Sequence, residues 1–139
     1  MITQEYIKEF AMKQKTAFIG SVDEEGFPNI KAVFAPGKIE GNCFYFSCNT
    51  SAMRSGQYLK NPKASLYFYH RGRFRYEGIM LVGLMEVSQD AELKKELWHD
   101  GDIMYYKEGV TDPDYCVLKF TAQRGRRYCA LKSENFILP

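Results

Sequence analysis

The sequence predicts a mainly β protein, a small closed or partly closed β-barrel with flanking helices. Three observations carry this. First, β-rich apolar runs separated by short turns recur along the chain: TAFIGSV, NIKAVFA, CFYFS, ASLYFYH, EGIMLVGLMEVS, CVLKFTAQ and RRYCALK. Second, the first three of these follow one another without an intervening helix, which disfavours parallel α/β layering. Third, 139 residues at 45% hydrophobic content suit a single domain with one core.

Taken in order, residues 3 to 14 read as an amphipathic helix, because Ile7, Phe10 and Ala11 recur at helical spacing behind Thr3, a ready N-cap. TAFIGSV and NIKAVFA flank the acidic Gly-Pro turn DEEGFP and read as a hairpin. The loop APGKIEGN leads to CFYFS, a third strand. A short helix closed by Asn61-Pro62 then precedes the aromatic strand ASLYFYH. After RGRFR comes a longer strand whose two glycines, Gly78 and Gly83, read as bulges. DAELKKELWHD reads as an Asp-capped helix and GDIMYYKEGVTDPDY as an irregular connection. CVLKFTAQ and RRYCALK close the chain as two strands, with the RGRR cluster at 124 to 127 as the turn between them.

Composition excludes several classes of function. A net charge of +2 gives no general nucleic-acid footprint. Cys43, Cys48, Cys116 and Cys129 form no Cys-x-x-Cys pair, and only His70 and His99 are available beside them, so zinc is disfavoured. No apolar run reaches the length of a membrane span, and MITQEYIKEF lacks a signal peptide's apolar stretch, which predicts a cytoplasmic protein with reduced thiols and no membrane partner. No Ser-His-Asp arrangement, phosphate-loop motif or paired-carboxylate spacing emerges for hydrolysis or phosphoryl transfer.

The stretch SCNTSAMRSGQYLKNP gathers hydroxyls, an amide and an arginine where a strand ends and a helix begins. Orphan amides at a helix start attract anions, and Arg54 in the first turn adds a charge-assisted contact suited to a phosphate monoester. The plainer reading is capping by Thr50 or Ser51 with Arg54 in solvent. Lys31 interrupts an apolar strand and brings a second cation toward the same end of the hairpin, or else it sits on a polar strand face.

The run from GFPNIKAVFAP through CFYFSCNTSAMRSGQYLKNPKASLYFYH to GIMLVGLMEV resembles the FMN-binding split-barrel superfamily, the pyridoxamine 5'-phosphate oxidase-like proteins. The front helix and the ending DPDYCVLKFTAQRGRRYCALKSENFIL look most like the general stress protein 26 branch. The resemblance implies a six-stranded FMN-binding split barrel that forms a homodimer with FMN at the interface. It places Lys31 near the phosphate and Ala32, Val33 and Phe34 beside the isoalloxazine ring. Ser47 and Cys48 fall at the ribityl and phosphate region, with Thr50 and Ser51 adding hydroxyls. Ala52, Met53 and Arg54 occupy the family's Ser-Arg-Lys positions, so Arg54 alone keeps a cation there, and Gly78 replaces a glutamine presented to the flavin. Trp98, Tyr106 and Tyr128 are candidates for an aromatic offered by the partner subunit. The implied activity is electron transfer from a reduced nicotinamide or other donor to a small acceptor; flavin storage or redox sensing without turnover, and a barrel holding haem or a deazaflavin, are the alternatives.

Arg71, Arg73 and Arg75 in RGRFR either hold the phosphates of a nicotinamide donor or form a solvated hairpin end that discourages edge pairing. His70 reads as a strand-end histidine, a proton donor or a haem ligand. His99, after a helix, suits the helix dipole.

Overall fold

Thr3 starts the first helix as its sequence position predicts. In the computed structural model, which describes residues 2–138, its hydroxyl accepts the Tyr6 N–H at 3.1 Å. Helix α1 (Gln4–Met12) then buries Ile7, Phe10 and Ala11 against the sheet.

The strands are β1 (Thr16–Val22), β2 (Pro28–Phe34), β3 (Lys38–Glu40), β4 (Cys43–Asn49), β5 (Lys63–Arg71), β6 (Tyr76–Ser88), β7 (Tyr115–Cys129) and β8 (Lys132–Ile137). Helix α2 (Met53–Lys60) lies between β4 and β5, and α3 (Ala91–Leu97), capped by the Asp90 carboxylate, follows β6. All neighbours pair antiparallel in the order β2-β1-β5-β6-β7-β4-β3, with β8 added beside the far half of β7. The six long strands expected of the split barrel are β1, β2, β4, β5, β6 and β7. Strand β3 forms inside the segment expected to be loop, and β8 extends the C-terminal hairpin.

One sheet face closes on the core. Ala17 and Ile19 from β1, Phe44 and Phe46 from β4, Leu66 and Phe68 from β5, Ile79 and Leu81 from β6, and Leu118 and Phe120 from β7 are all buried in it. Their period-two spacing is what an antiparallel strand with one buried face requires. The sheet does not close fully: β2 at one end pairs with β1 alone, and the gap between it and β4 is the split in the barrel.

Two expectations are corrected. The RGRR cluster is not a turn, because Arg124–Arg127 continue β7 with β6 on one side and β8 on the other. The turn comes later, at Ala130 and Leu131, whose φ values of 50° and 65° are those of a tight hairpin turn. In β6 the register shifts only between Val82 and Gly83, so Gly83 marks a bulge whereas Gly78 sits in regular pairing. The irregular connection after α3 contains two short 3-10 helices, Asp100–Met104 and Gly109–Thr111.

Candidate functional site

The split in the barrel is a cleft of about 600 Å³. Strand β2 gives one lip, with Lys31, Ala32, Val33 and Phe34; β4 gives Phe46 and Ser47, and α2 gives Arg54. Ile19 and Leu118 reach it from the core side. At the other wall Gly37, Leu97, His99 and Asp102 enter, held there because the Gly37 N–H donates to the Tyr45 carbonyl at 2.9 Å and Leu97 packs directly on Gly37. The result is an apolar slot with two cations on its walls and a carboxylate, Asp102, at another point.

The cation in α2 is unusual. Arg54 Nε is buried and has no hydrogen-bond partner among the described residues. A buried, unpaired guanidinium nitrogen is costly, and an anion in the cleft would satisfy it. The helix start is also uncapped: Ala52 holds the N-cap position and offers no side-chain acceptor. The capping expected of Thr50 or Ser51 is overturned because the helix begins one residue later, with Ala52 at the N-cap, and the Thr50 hydroxyl is engaged elsewhere. Thr50 Oγ1 donates to the Pro113 carbonyl at 2.8 Å and accepts from Gln89 Nε2 at 2.9 Å, while the Ser51 N–H donates to Asp114 Oδ1 at 2.8 Å. Neither residue lines the cleft.

Behind this helix start lies a buried polar knot. Ser55 Oγ donates to the Asn49 carbonyl at 2.7 Å and lies 3.4 Å from Cys48 Sγ. The Cys48 thiol is lowered to about 6, chiefly by its hydrogen bond with Cys116 and further by Ser55 and the Arg54 charge, against the opposing effect of burial. Cys116 is pushed up by the same contact and by burial. On the outer side of β4, Tyr106 Oη donates to Asn49 Oδ1, and Ser47 Oγ lies 3.3 Å from Tyr115 Oη. Trp98, Tyr106 and Tyr115 pack ring on ring at 5.0 to 6.2 Å, which fastens the segment after α3 beside the cleft.

Of the residues singled out from sequence, Lys31, Ala32, Val33, Phe34, Ser47 and Arg54 come together in this one cleft. Cys48 is buried behind it and Met53 projects into solvent on the far side of α2. Gly78 lies elsewhere, on the outer sheet face between Tyr69 and Tyr128, where its missing side chain leaves room for Tyr67 to meet the Tyr128 ring at 6.5 Å. Tyr106 is 8% exposed and hydrogen-bonded within its own subunit, and Trp98 is half-buried against Tyr115, whereas Tyr128 stands on the outward face beneath the Arg126 guanidinium. His70 is exposed near the end of β5, outside the cleft, and Arg73 and Arg75 sit in the exposed turn between β5 and β6. His99, read from sequence only as a complement to a helix dipole, and Asp102, not singled out there, are in the cleft; the Asp102 carboxylate accepts the His99 N–H at 2.9 Å and starts the 3-10 turn. Only the tertiary placement of that turn reveals them.

The family model described as pyridoxamine 5'-phosphate oxidase matches residues 3–129. Among solved structures, a Clostridium acetobutylicum protein related to general stress protein 26 of B. subtilis, of the pyridoxinephosphate oxidase family, superposes with a TM-score of 0.80 at 37% identity, over 98% of this chain and 96% of its own. General stress protein 26 from Bacillus anthracis gives 0.75 at 18% identity, covering 97% and 98%. A haem-binding protein from Mycobacterium smegmatis gives 0.71 at 16% identity, with 92% of this chain and 55% of that one covered. Nothing among curated proteins matches the chain.

Proposed function

The chain belongs to the pyridoxamine 5'-phosphate oxidase family, and from that premise we propose that it binds FMN in the cleft between β2, β4 and α2. The observation that carries this reading is Arg54: a buried guanidinium nitrogen without a partner, at an uncapped helix start, in the same cleft as Lys31. A phosphate monoester supplies the acceptor that this nitrogen lacks. Ser47 adds a hydroxyl, and Ala32, Val33, Phe34, Phe46 and Leu118 supply the apolar surface an isoalloxazine ring requires.

Bound there, the flavin would supply the electron-transfer chemistry, and the chain's residues bind it, orient it and keep water from the ring. The reading extends to a homodimer of single-domain subunits in the cytoplasm, oxidising a reduced nicotinamide or similar donor and reducing a small acceptor, with the partner's ring at the Tyr128 position closing the cleft. Exposed Ile30 and Phe34 on β2 support the dimer.

The test is the visible spectrum of the purified protein after incubation with FMN and gel filtration, with the eluted mass counting subunits. A flavin spectrum retained at one FMN per subunit in a dimer is expected; a folded protein that retains none defeats the reading. Consumption of reduced nicotinamide with an added acceptor, faster than free FMN supports, separates an oxidoreductase from a protein that only stores or senses flavin. A haem reading draws on His99, which lines the cleft where His70 does not; a Soret band retained in place of a flavin spectrum would favour it.

A further inference from the structure

Cys48 and Cys116 stand directly opposite one another in the ladder between β4 and β7. Opposed residues of an antiparallel pair share a face with Cα atoms about 4.5 or 5.5 Å apart, and a disulfide spans about 4.4 to 6.8 Å. Both side chains turn into the core, where Cys116 Sγ donates to the Cys48 carbonyl at 3.4 Å. Neither of the other two cysteines has such a counterpart: Cys43 is paired with Thr121 on β7 and Glu40 on β3, and Cys129 with Glu77 on β6 and Lys132 on β8.

The pair also sits at a particular place. Cys48 Sγ lies 3.4 Å from Ser55 Oγ, in the helix that carries Arg54, and Ser47, its chain neighbour, lines the cleft. The charged and titratable groups that act with Cys48 are Arg54, Cys116, Tyr58 and Tyr106. Burial raises both tyrosines to about 12, so they stay neutral and Arg54 is the cation of the set.

We propose that Cys48 and Cys116 form a dithiol site that a small hydroperoxide oxidises to a cross-strand disulfide, and that the oxidised protein holds FMN more tightly. The Cys48 thiolate attacks the distal peroxide oxygen; the O–O bond breaks, the departing oxygen takes a proton and leaves as water or alcohol, and Cys48 becomes a sulfenic acid. The Cys116 sulfur then attacks the Cys48 sulfur, its proton joining the displaced hydroxyl as water. The two thiols lose two electrons and the peroxide gains them. Cys48, beside Ser55 Oγ and in the field of Arg54, is the thiol whose thiolate is favoured for the attack, and Cys116 is the resolving one by its position directly across the ladder. A Cys48 thiolate shares the field of Arg54 with any bound phosphate, whereas a disulfide carries no charge. Oxidation therefore leaves Arg54 to the phosphate alone. The affinity half of the proposal rests on the FMN reading; the thiol half does not.

The experiment treats reduced wild-type protein, with and without FMN, with equimolar hydrogen peroxide, blocks the remaining thiols, and reads intact mass and the peptide map. A mass lower by two hydrogens, a Cys48–Cys116 peptide, reversal by dithiothreitol and a several-fold lower Kd for FMN are expected. In Cys116→Ser, a dimedone adduct should appear on Cys48. Oxidation confined to Cys43 and Cys129 would overturn the site. A disulfide with unchanged FMN affinity would overturn the coupling. If neither form binds FMN, the flavin reading fails while the mass and peptide map still decide the thiol pair.

Discussion

Lys31 on the edge strand β2 and Arg54 in the first turn of α2 line the same cleft, although 23 positions separate them in the chain. Their meeting brings two positive charges to one apolar slot, and Arg54 Nε has no partner among the described residues to offset its burial. Charge-assisted hydrogen bonds contribute about 1.5–3 kcal/mol each. Replacing both residues with alanine should weaken FMN binding by at least ~2 kcal/mol, more than tenfold in Kd. Quenching of flavin fluorescence in a titration measures it, and an unchanged Kd would remove both residues from the phosphate site.

The structure gives a steric reason for position 78 being glycine. A Cβ built there would lie 2.0 Å from Tyr67 Oη and 2.6 Å from its Cζ. Gly78→Gln therefore forces Tyr67 off its contact with Tyr128 and should cost about 1–3 kcal/mol, as overpacking does. Adding Tyr67→Ala to the same chain removes the clash, so the double variant should lose less from the glutamine than the single one does. Thermal or urea unfolding of the four chains of that cycle gives the answer, and additive losses would show that the two positions do not interact.

These residues also show what was legible in the sequence. The buried alternation of Ala17, Ile19 and Ser21, and of Phe44, Phe46 and Cys48, is visible in the sequence as period-two strands, and Thr3 and Asp90 are recognisable caps. What failed were readings whose deciding partners are distant. Arg124–Arg127 look like a turn because they are polar, yet pairing on both sides holds them in β7. The true turn was hidden because Ala130 and Leu131 adopt positive φ without the Gly or Asn that normally announces it. Thr50 looked free to cap α2, but Pro113, 63 positions away, takes its hydroxyl. For the same reason Lys31, Ser47 and Arg54 were recognisable one by one, while His99 and Asp102 needed the fold.

Glu77 on β6 fastens α1 to the sheet: Arg127 Nε donates to its Oε2 at 2.6 Å, and Tyr6 Oη donates to the same oxygen at 2.5 Å. Burial works to raise the Glu77 carboxyl, but the Arg127 and Tyr6 hydrogen bonds outweigh it and hold the group below its ordinary value of 4.5. A carboxylate lowered on folding contributes stability that is complete above the ordinary value and is lost as pH falls through the lowered one. Wild-type stability should therefore fall on acidification from pH 6 to below 4.5, and Glu77→Gln should flatten that limb. At neutral pH the variant should lose about 1–2 kcal/mol, the worth of a charge-assisted bond reduced to a neutral one. Urea unfolding at a series of pH values checks both, and an unaltered acid limb would show that Glu77 is not the titrating group.

Ile30 and Phe34 are 76% and 90% exposed on β2, an edge strand whose only guards are Pro28 at its first position and a single charge, Lys31. Monomeric proteins guard such edges with charges, prolines or short strands, since an exposed apolar edge invites pairing. Here Phe34 also lines the cleft, so whatever covers this strand also covers part of the cleft. If a second copy of the chain is the cover, Phe34→Lys should shift the protein toward monomer and weaken FMN binding in the same step, while Leu131→Lys, at an equally exposed hairpin turn away from the cleft, should change neither. Sedimentation at several concentrations, with and without FMN, separates the cases. A wild type that stays monomeric, or a Phe34→Lys dimer with undiminished FMN affinity, would break the link between dimer and site.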